Sequence, residues 1–456
     1  MTVGAATGPG GATGAVSSPA PPAASPGPAE VRGPRLWPMA TGTFAIGFGS
    51  YVMAGLVPSV SAELGVSVSQ VGALVSVYGF TYAVSTPLLT LVVGRVPRRV
   101  LMTVALGLFA LATGGTAFAT TYEQVAVLRG LSAVAAGGFT PTATVLAARL
   151  APPGRRGRAV ATVFGGLTTA TVLGAPAGNL LGPVLGYRGV YALVGGLALV
   201  ALASVLLLVR IPRAAAAVSA DAGFGASSRV RTSEAPKPAG ATEPAAAVPV
   251  AGPVVGPVAD APQPGAGPAL PGLVAVVLVV SMLETASALM VQTYSSPLLT
   301  DLGGLTGALL SAVLLAYGVA GVAGNVVGGR LADRFGAARS IVLALGTSVV
   351  ALLLLTPATA TAWTALGVFA LWGFAAWAMN SPLQNVLLTL AGRHGQLVVA
   401  LNSSVISLGT GLGALVGGWV VAGPGYAVLG AAAAGVMLLA VVLVAVLSRR
   451  PAVASV

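Results

Sequence analysis

Twelve apolar runs of about 20 to 28 residues recur along this chain of 456 residues, with short loops between most of them. A run of about 20 apolar residues crosses the hydrocarbon core of a bilayer as an α-helix, because helical backbone satisfies its own hydrogen bonds in lipid. Only 7% of the residues are charged, against about 25% in soluble domains. The sequence therefore predicts an all-α integral membrane protein with twelve transmembrane helices. The predicted spans 1 to 12 cover about 37–60, 69–91, 97–118, 124–148, 157–183, 188–210, 271–298, 305–328, 338–357, 361–388, 396–421 and 425–447.

The arginines lie almost entirely in alternate loops. Clusters follow the even-numbered spans, whereas the other loops hold almost none, with Arg188 as the exception. Because basic loops stay in the cytoplasm during insertion, both termini are predicted to be cytoplasmic in a multi-pass protein of the cell (plasma) membrane. The net charge of +12 is spread over these loops, so nucleic acid is not an expected partner. The clusters are Arg95, Arg98 and Arg99; Arg149, Arg155, Arg156 and Arg158; Arg210 and Arg213; Arg330, Arg334 and Arg339; Arg393; and Arg449 and Arg450.

The first six spans and the last six resemble one repeated unit. A shift of 239 residues carries Pro58 onto Pro297 and Arg95 onto Arg334. Parallel six-helix repeats with a substrate site between them are a transporter architecture. We therefore expect two pseudo-symmetric six-helix halves, joined by a proline-rich segment without periodicity. The predicted organisation is a disordered N-terminal tail (1–36), an N-terminal half (37–210), a flexible cytoplasmic linker (211–270), a C-terminal half (271–448) and a C-terminal tail (449–456).

Several chemistries are excluded by residues that the sequence lacks. There is no cysteine and a single histidine, His394, so neither a thiolate site nor a histidine cluster for a metal can form. The chain has no Gly-x-x-x-x-Gly-Lys-Ser/Thr phosphate loop, so we expect no ATP hydrolysis. We accordingly expect no enzyme and no cofactor, and transport would draw on an ion gradient or be passive.

Arg129 in span 4 and Glu284 in span 7 are the two charged residues that fall well inside the apolar runs. A charge at membrane depth is unfavourable and usually faces a polar cavity. Glu284 is predicted near the middle of the bilayer, where desolvation favours the neutral acid, as a reversible proton carrier requires. The alternative for Glu284 is a permanently protonated acid bonded within the bundle. The alternative for Arg129 is a side chain that reaches the membrane surface and only anchors it.

Two loops carry a related pattern of glycine, arginine and aspartate. The string Gly-Asn-Val-Val-Gly-Gly-Arg-Leu-Ala-Asp-Arg-Phe-Gly at 324–336 joins spans 8 and 9, and Pro-Leu-Leu-Thr-Leu-Val-Val-Gly-Arg-Val-Pro-Arg-Arg at 87–99 joins spans 2 and 3. Both resemble the loop signature of the major facilitator superfamily, with Gly94 where the family pattern has aspartate. The resemblance implies gate loops in which an Asp beside an Arg locks one conformation. The alternative is a basic loop that only sets the orientation. The gate residues are Arg95, Arg99, Arg330, Asp333 and Arg334.

Two motifs inside the spans resemble the same superfamily. Leu-Arg-Gly-Leu-Ser-Ala-Val-Ala-Ala-Gly-Gly at 128–138 is similar to its intramembrane arginine motif, which implies that Arg129 takes part in coupling transport to protons. Gly174, Pro176 and Gly178 in span 5 match the Gly-x-Pro-x-Gly motif of drug–proton antiporters, and Gly-Tyr-Arg follows at 186–188. Close helix packing would also explain the glycine spacing.

Spans 1 and 7 narrow the resemblance to bacterial twelve-span efflux permeases, which include exporters of sugars, purine nucleosides and chloramphenicol. The matching strings are Gly-Leu-Val-Pro at 55–58 and Thr-Tyr-Ser-Ser-Pro at 293–297. Many members carry an acid before an aromatic residue in span 1, where this chain has Ser50 before Tyr51. Polar residues on four spans are candidates to line a substrate cavity, although each could equally hold helices together. They are Ser50, Gln292, Tyr294, Asn380, Gln384 and Asn402.

The resemblance and Glu284 together predict proton-coupled efflux, an antiport of small organic molecules by alternating access between the two halves. The expected partners are the small-molecule substrate, protons and the lipid bilayer. The alternatives are a gradient-driven importer or facilitator, and a membrane sensor that binds a ligand without moving it.

Overall fold

The computed structural model describes residue 4 and residues 36–92, 96–152, 155–209, 271–391 and 394–447. All regular secondary structure in these ranges is helical. Spans 1 to 6 are formed by Trp37–Leu64, Val68–Val92, Arg98–Gly115, Tyr122–Leu150 and Arg156–Leu208, the last of which contains spans 5 and 6. Spans 7 to 12 are formed by Pro271–Gln292 with Ser295–Gly303, Gly307–Phe335, Ala337–Leu353 with Leu355–Ala358, Ala362–Ala378 with Asn380–Ala391, Gly395–Ala422, and Tyr426–Leu447.

The helices agree with the predicted number of spans. Ten stretches of the described helix are long and apolar enough to cross a membrane. One of them, Arg156–Leu208, is broken at Gly186, whose φ of 65° and ψ of 172° are not helical, and it therefore supplies two spans. A shorter apolar helix, Ala337–Leu353, supplies span 9. The prediction of an all-helical membrane protein is confirmed.

Some sequence predictions fall on residues that the structure does not describe. They are the N-terminal tail up to residue 35 (apart from residue 4), the linker, the C-terminal tail and the gate residue Arg95. Arg210, Arg213, Arg393, Arg449 and Arg450 lie outside the described ranges as well.

Matching N-caps begin span 4 and span 10. The Thr121 hydroxyl accepts from the backbone N–H of Gln124, and the Gln124 side chain bonds back to the cap backbone. Thr361 and Thr364 form the same reciprocal capping box before Ala362–Ala378. Such a box satisfies N–H groups that the first helical turn leaves free. The two halves therefore begin their fourth helices with the same local device.

Helix packing also repeats between the halves. Span 1 packs on span 5, as span 7 packs on span 11, and span 3 contacts spans 4 and 6, as span 9 contacts spans 10 and 12. Glycines permit the close approach: a Cβ on Gly55 would overlap the carbonyl of Ala175, and one on Gly413 would overlap the carbonyl of Ala286. Helix association in lipid relies on this kind of backbone contact.

Two large hydrophobic clusters fill the interior of the described part of the fold, beside a small one of Ala148, Val160 and Phe164. One is built almost wholly from residues between Met39 and Val209, the other almost wholly from residues between Val274 and Val444. The two sets of spans meet where span 2 packs on span 11, where span 5 packs on span 8, and where span 1 contacts Ser295–Gly303 of span 7. These contacts bound the region between the clusters.

Candidate functional site

Arg129 is buried inside the N-terminal set of helices, with 2% of its surface exposed. Its Nη1 donates to the backbone carbonyl of Gly49 at 2.9 Å and to the hydroxyl of Tyr191 at 3.3 Å. The guanidinium carbon lies 4.7 Å from the centre of the Tyr78 ring, which is a cation–π geometry. Spans 1, 2 and 6 therefore hold the arginine within the bundle.

Two nitrogens of Arg129 have no partner in the part of the chain that the structure describes. Nε and Nη2 are buried and form no hydrogen bond, and no ion pair joins the guanidinium to an acid among the described residues. A buried donor without a partner costs about 1–3 kcal/mol, and more when the group is charged. Arg129 thus keeps hydrogen-bonding capacity that the described part of the fold does not use.

Glu284 occupies the middle of the first helix of span 7 and is 8% exposed. The Thr285 hydroxyl donates to its Oε2 at 3.2 Å. On span 8 the buried Tyr317 ring packs against Trp372 with ring centres 4.5 Å apart. Within the described ranges no arginine or lysine forms an ion pair with Glu284. The two intramembrane charges therefore lie in different halves and are not paired with each other.

The cavity candidates divide by their contacts. The Tyr294 hydroxyl donates to the Ala414 carbonyl at 2.7 Å, so this buried ring joins span 7 to span 11. The Ser50 hydroxyl donates to the Ile46 carbonyl at 2.9 Å and stays half-buried. Asn402 is 1% exposed, and its Oδ1 has no partner among the described residues. Neither the Tyr294 bond nor the Ser50 bond joins two candidates, since both end on backbone carbonyls. Gln292 and Asn380 are half-buried, and Gln384 is buried.

The gate residues lie at the ends of the spans that carry the arginine clusters, a side that we call the arginine-rich face. Asp333, Arg334 and Arg330 are exposed, and Asp333 forms no ion pair with a described residue. Arg334 lies over the ring of its neighbour Phe335 at 5.3 Å. Arg99 donates from Nη2 to the Leu206 carbonyl at 3.0 Å, which ties span 3 to the end of span 6.

The antiporter-type motif packs against span 1. A Cβ on Gly174 would lie 2.7 Å from the Tyr51 side chain, and one on Gly178 would overlap the carbonyl of Val52. The carbonyl of Pro176 is directed elsewhere, because it accepts from the hydroxyl of Ser311 on span 8 at 3.3 Å. The motif therefore packs against span 1 through its glycines and contacts span 8 of the C-terminal half through the Pro176 carbonyl.

Asn179 completes this contact and was not singled out from the sequence. Its Nδ2 donates to the Gly307 carbonyl at 3.0 Å and to the Ser311 hydroxyl at 2.8 Å. We call these bonds, with that of Pro176, the 5–8 clasp. Its position next to the Gly-x-Pro-x-Gly string, as one polar side chain in an apolar run, was the available signal for Asn179. Ser311 carried none.

Glu63 is a second residue whose role the sequence did not show. Its Oε1 accepts from the backbone N–H of Tyr187 at 2.8 Å, directly after the break at Gly186. The carboxylate therefore caps the start of span 6, where the helix dipole favours a negative charge. In the C-terminal half, span 12 likewise begins with a tyrosine, Tyr426, directly after the positive-φ glycine Gly425.

The halves touch on one side of the molecule. The 5–8 clasp lies near the ends of spans 5 and 8 that are remote from the arginine-rich face, which we call the opposite face. Span 2 meets span 11 toward the same side, where a Cβ on Gly418 would lie 2.8 Å from the Ser69 hydroxyl. Nearer the arginine-rich face, span 8 carries an open, apolar surface groove of about 560 Å³. Span 5 contributes only Val172 to it, and the rest of its lining is Val319, Val322, Ala323, Val326, Val327 and Arg330 of span 8.

Helix number, repeated packing and two unpaired intramembrane charges define a multi-pass membrane protein of the transporter type. A family model described as Major Facilitator Superfamily matches residues 39–396 and 273–456. The chain belongs to this superfamily, whose members are transporters rather than enzymes.

Similar proteins agree with this placement. The inner membrane transport protein YdhP of Escherichia coli (strain K12) is 30% identical over 412 residues, which are 89% of this chain and 94% of that protein. A chloramphenicol resistance protein of Streptomyces lividans is 28% identical over 372 residues, 82% of this chain and 79% of that protein.

A solved structure shows the same fold. It is a bacterial homologue of the human lysosomal transporter Spinster, crystallised in an inward-facing and unoccupied conformation. The match has a TM-score of 0.62 at 16% identity and covers 92% of this chain and 95% of that chain.

Proposed function

We propose that this protein exports small organic molecules across the cytoplasmic membrane in exchange for protons, by alternating access between its two halves. Membership of the superfamily supports transport, and the relative named for chloramphenicol resistance supports export. The arginine-rich face is cytoplasmic in this proposal, because basic loops are retained on that side.

The arrangement of the halves is consistent with one stage of such a cycle. The 5–8 clasp joins them at the opposite face, and on the same side span 2 lies against span 11 at Ser69 and Gly418. With the opposite face held closed in this way, an exporter would take up its substrate from the cytoplasm in this conformation. The gate residues Asp333 and Arg334, exposed here, would come together with the other half when the cytoplasmic side closes.

Glu284 carries the proposal of proton coupling. It is a carboxyl group inside a span with one neutral hydroxyl partner and no described cation beside it. Such a group changes its charge only by binding or releasing a proton, so opening it to each side in turn would move a proton across the membrane. Arg129 would supply a fixed positive charge in the other half.

Glu284→Gln tests this role directly. Glutamine keeps the size and hydrogen-bonding capacity of the side chain but cannot cycle a proton. In proteoliposomes with an imposed pH gradient, we expect the variant to lose uphill export, with chloramphenicol and a simple organic carboxylate as the first two probes. Exchange of substrate for substrate should survive, because it needs no net proton movement. Asp301→Asn is the matched control, since it makes the same change at an exposed carboxylate near the end of the same span.

The outcomes separate the alternatives. Uphill export by Glu284→Gln at the wild-type rate would remove Glu284 from coupling. Flux in the opposite direction under the same gradient would indicate an importer, and flux that is indifferent to the gradient would indicate a facilitator. Ligand binding without any counterflow, over a panel that extends to sugars and nucleosides, would indicate a sensor.

A further inference from the structure

The unpartnered nitrogens of Arg129 lie on one edge of its planar guanidinium. Nη1 spends its two hydrogens on the Gly49 carbonyl and the Tyr191 hydroxyl, and Tyr78 covers a face of the plane. Nε and Nη2 remain, both buried and both without a partner among the described residues. These two nitrogens direct parallel N–H bonds away from the group, the arrangement that binds a carboxylate through both oxygens.

The chain itself supplies no acid to this edge within the described residues. The groups that contact Arg129 from spans 1, 2 and 6 are a carbonyl, a ring and a hydroxyl, all neutral. Glu63 is engaged by the backbone of Tyr187, and Glu284 lies in the other half with Thr285. The counter-charge for Arg129 must therefore come from outside the described chain.

We propose that the Nε–Nη2 edge of Arg129 binds a carboxylate group of the transported molecule. A carboxylate matches the flat edge with two parallel bonds and brings one negative charge to one positive charge. A phosphate dianion would leave a surplus negative charge in the membrane, because no second cation contacts this site among the described residues. A halide ion would balance the charge of Arg129 but could not match its two parallel N–H bonds with two acceptor atoms.

Entry requires a conformation other than the present one, because both nitrogens are closed to solvent here. Gly49, whose carbonyl accepts from Nη1, directly precedes Ser50, a half-buried residue of span 1. Arg129 is thus bonded to the backbone next to a candidate cavity residue. This step rests on the proposed function, since alternating access is what would open the layer between them.

The test measures binding without a gradient, so its failure is distinct from a failure of transport. Purified full-length protein in lipid nanodiscs is followed by thermal unfolding near neutral pH, while sodium benzoate replaces sodium chloride at constant ionic strength. We expect the wild-type midpoint to rise with benzoate and not with benzamide, its uncharged analogue. Arg129→Gln should lower the apparent benzoate affinity by about 30-fold or more. Arg339→Gln, an exposed arginine on span 9, should match the wild type.

Arg129→Lys separates the contribution of the positive charge from that of the planar guanidinium edge. It also provides the test if the glutamine variant does not fold. Lysine keeps the positive charge but has no planar edge, so about a tenfold loss of benzoate affinity is expected. Wild-type affinity in the lysine variant, or no benzoate effect on the wild type, would refute the proposal. A midpoint that depends on chloride alone would make the site a halide site, and equal affinity for phosphate would equally contradict it.

Discussion

Asn179 and Ser311 join the two halves of the protein through a 2.8 Å bond from the amide of one to the hydroxyl of the other. The same amide also reaches the Gly307 carbonyl at 3.0 Å, and the serine donates to the Pro176 carbonyl at 3.3 Å. Spans 5 and 8 belong to different halves, so the opposite face opens only when these three bonds break. The clasp therefore sets part of the balance between the two conformations.

Asn179→Ala should shift that balance toward opening of the opposite face. Losing its two bonds is worth about 1–2 kcal/mol, which corresponds to a factor of about 5–30 in the populations. Because the chain has no cysteine, labels at Thr120→Cys and Ala360→Cys report the separation of the halves on that side. We expect a larger fraction of long distances between the two labels in Asn179→Ala than in the wild type. Asn385→Ala, an exposed asparagine on span 10, is the control, and equal distance distributions in both would remove the clasp from gating.

Glu63→Ala should destabilise the fold by about 1 kcal/mol, because the first turn of span 6 loses its capping carboxylate. The measurement is the thermal midpoint of the purified protein. Glu123→Ala, which removes an exposed acid from the first turn of span 4, is the comparison and should change the midpoint less. An equal fall of the thermal midpoint in the two variants would show that Glu63 acts only through its charge and not as a cap.

Gly186→Ala tests whether the break between spans 5 and 6 requires a glycine. At φ 65° and ψ 172° a side chain is strained by about 1–3 kcal/mol, and the added Cβ would lie 2.7 Å from Glu63 Oε1. We expect a lower thermal midpoint. Gly196→Ala, in the same helix with open space around the added carbon, should leave the midpoint unchanged or higher. A neutral Gly186→Ala would contradict the need for glycine at the break.

The predicted orientation can be measured with single cysteines. Thr306→Cys lies at the opposite face and His394→Cys at the arginine-rich face, and both positions are exposed. An impermeant maleimide added to intact cells should label Thr306→Cys and spare His394→Cys until the membrane is permeabilised. The reverse pattern would overturn the cytoplasmic assignment of the arginine-rich face.

Asp333→Asn should slow transport without reducing insertion. If the gate loop stabilises the closed cytoplasmic side, loss of its carboxylate raises the barrier to switching, and a tenfold slower turnover corresponds to about 1.4 kcal/mol. Flux in proteoliposomes, normalised to the amount of protein inserted, measures the effect. Asp301→Asn serves again as the control, and wild-type flux in Asp333→Asn would leave the loop with an orienting role only.

Local features were predictable from the sequence, and contacts between distant spans were not. The spans follow from apolar run length, and the break at Gly186 falls between predicted spans 5 and 6. Arg129 and Glu284 stand out because charges are rare at membrane depth. The clasp is different: whether Asn179 faces Ser311 depends on the rotation and depth of two helices more than 100 residues apart. No periodicity within either run fixes that register.

Tyr294 is a second residue whose contacts the sequence does not determine. Its polarity and position made it a candidate for the cavity, yet its hydroxyl reaches the Ala414 backbone, since Gly417 and Gly418 on span 11 leave room for the ring. A tyrosine that lines a cavity and one that bonds across helices look alike in a sequence, because both need an apolar setting with one polar end.

The unpaired guanidinium of Arg129 has an electrical consequence. A full elementary charge that crosses the membrane field does work of about 2.3 kcal/mol per 100 mV, and a charge that rocks part of the way does a proportional share. If the N-terminal half tilts during the cycle, the resting potential exerts a force on the charge of Arg129 and shifts the conformational balance of the empty carrier. When Arg129 binds a carboxylate, the two charges cancel locally, and the potential no longer has this effect. Membrane voltage would then bias the return of the empty protein and leave the loaded step largely untouched.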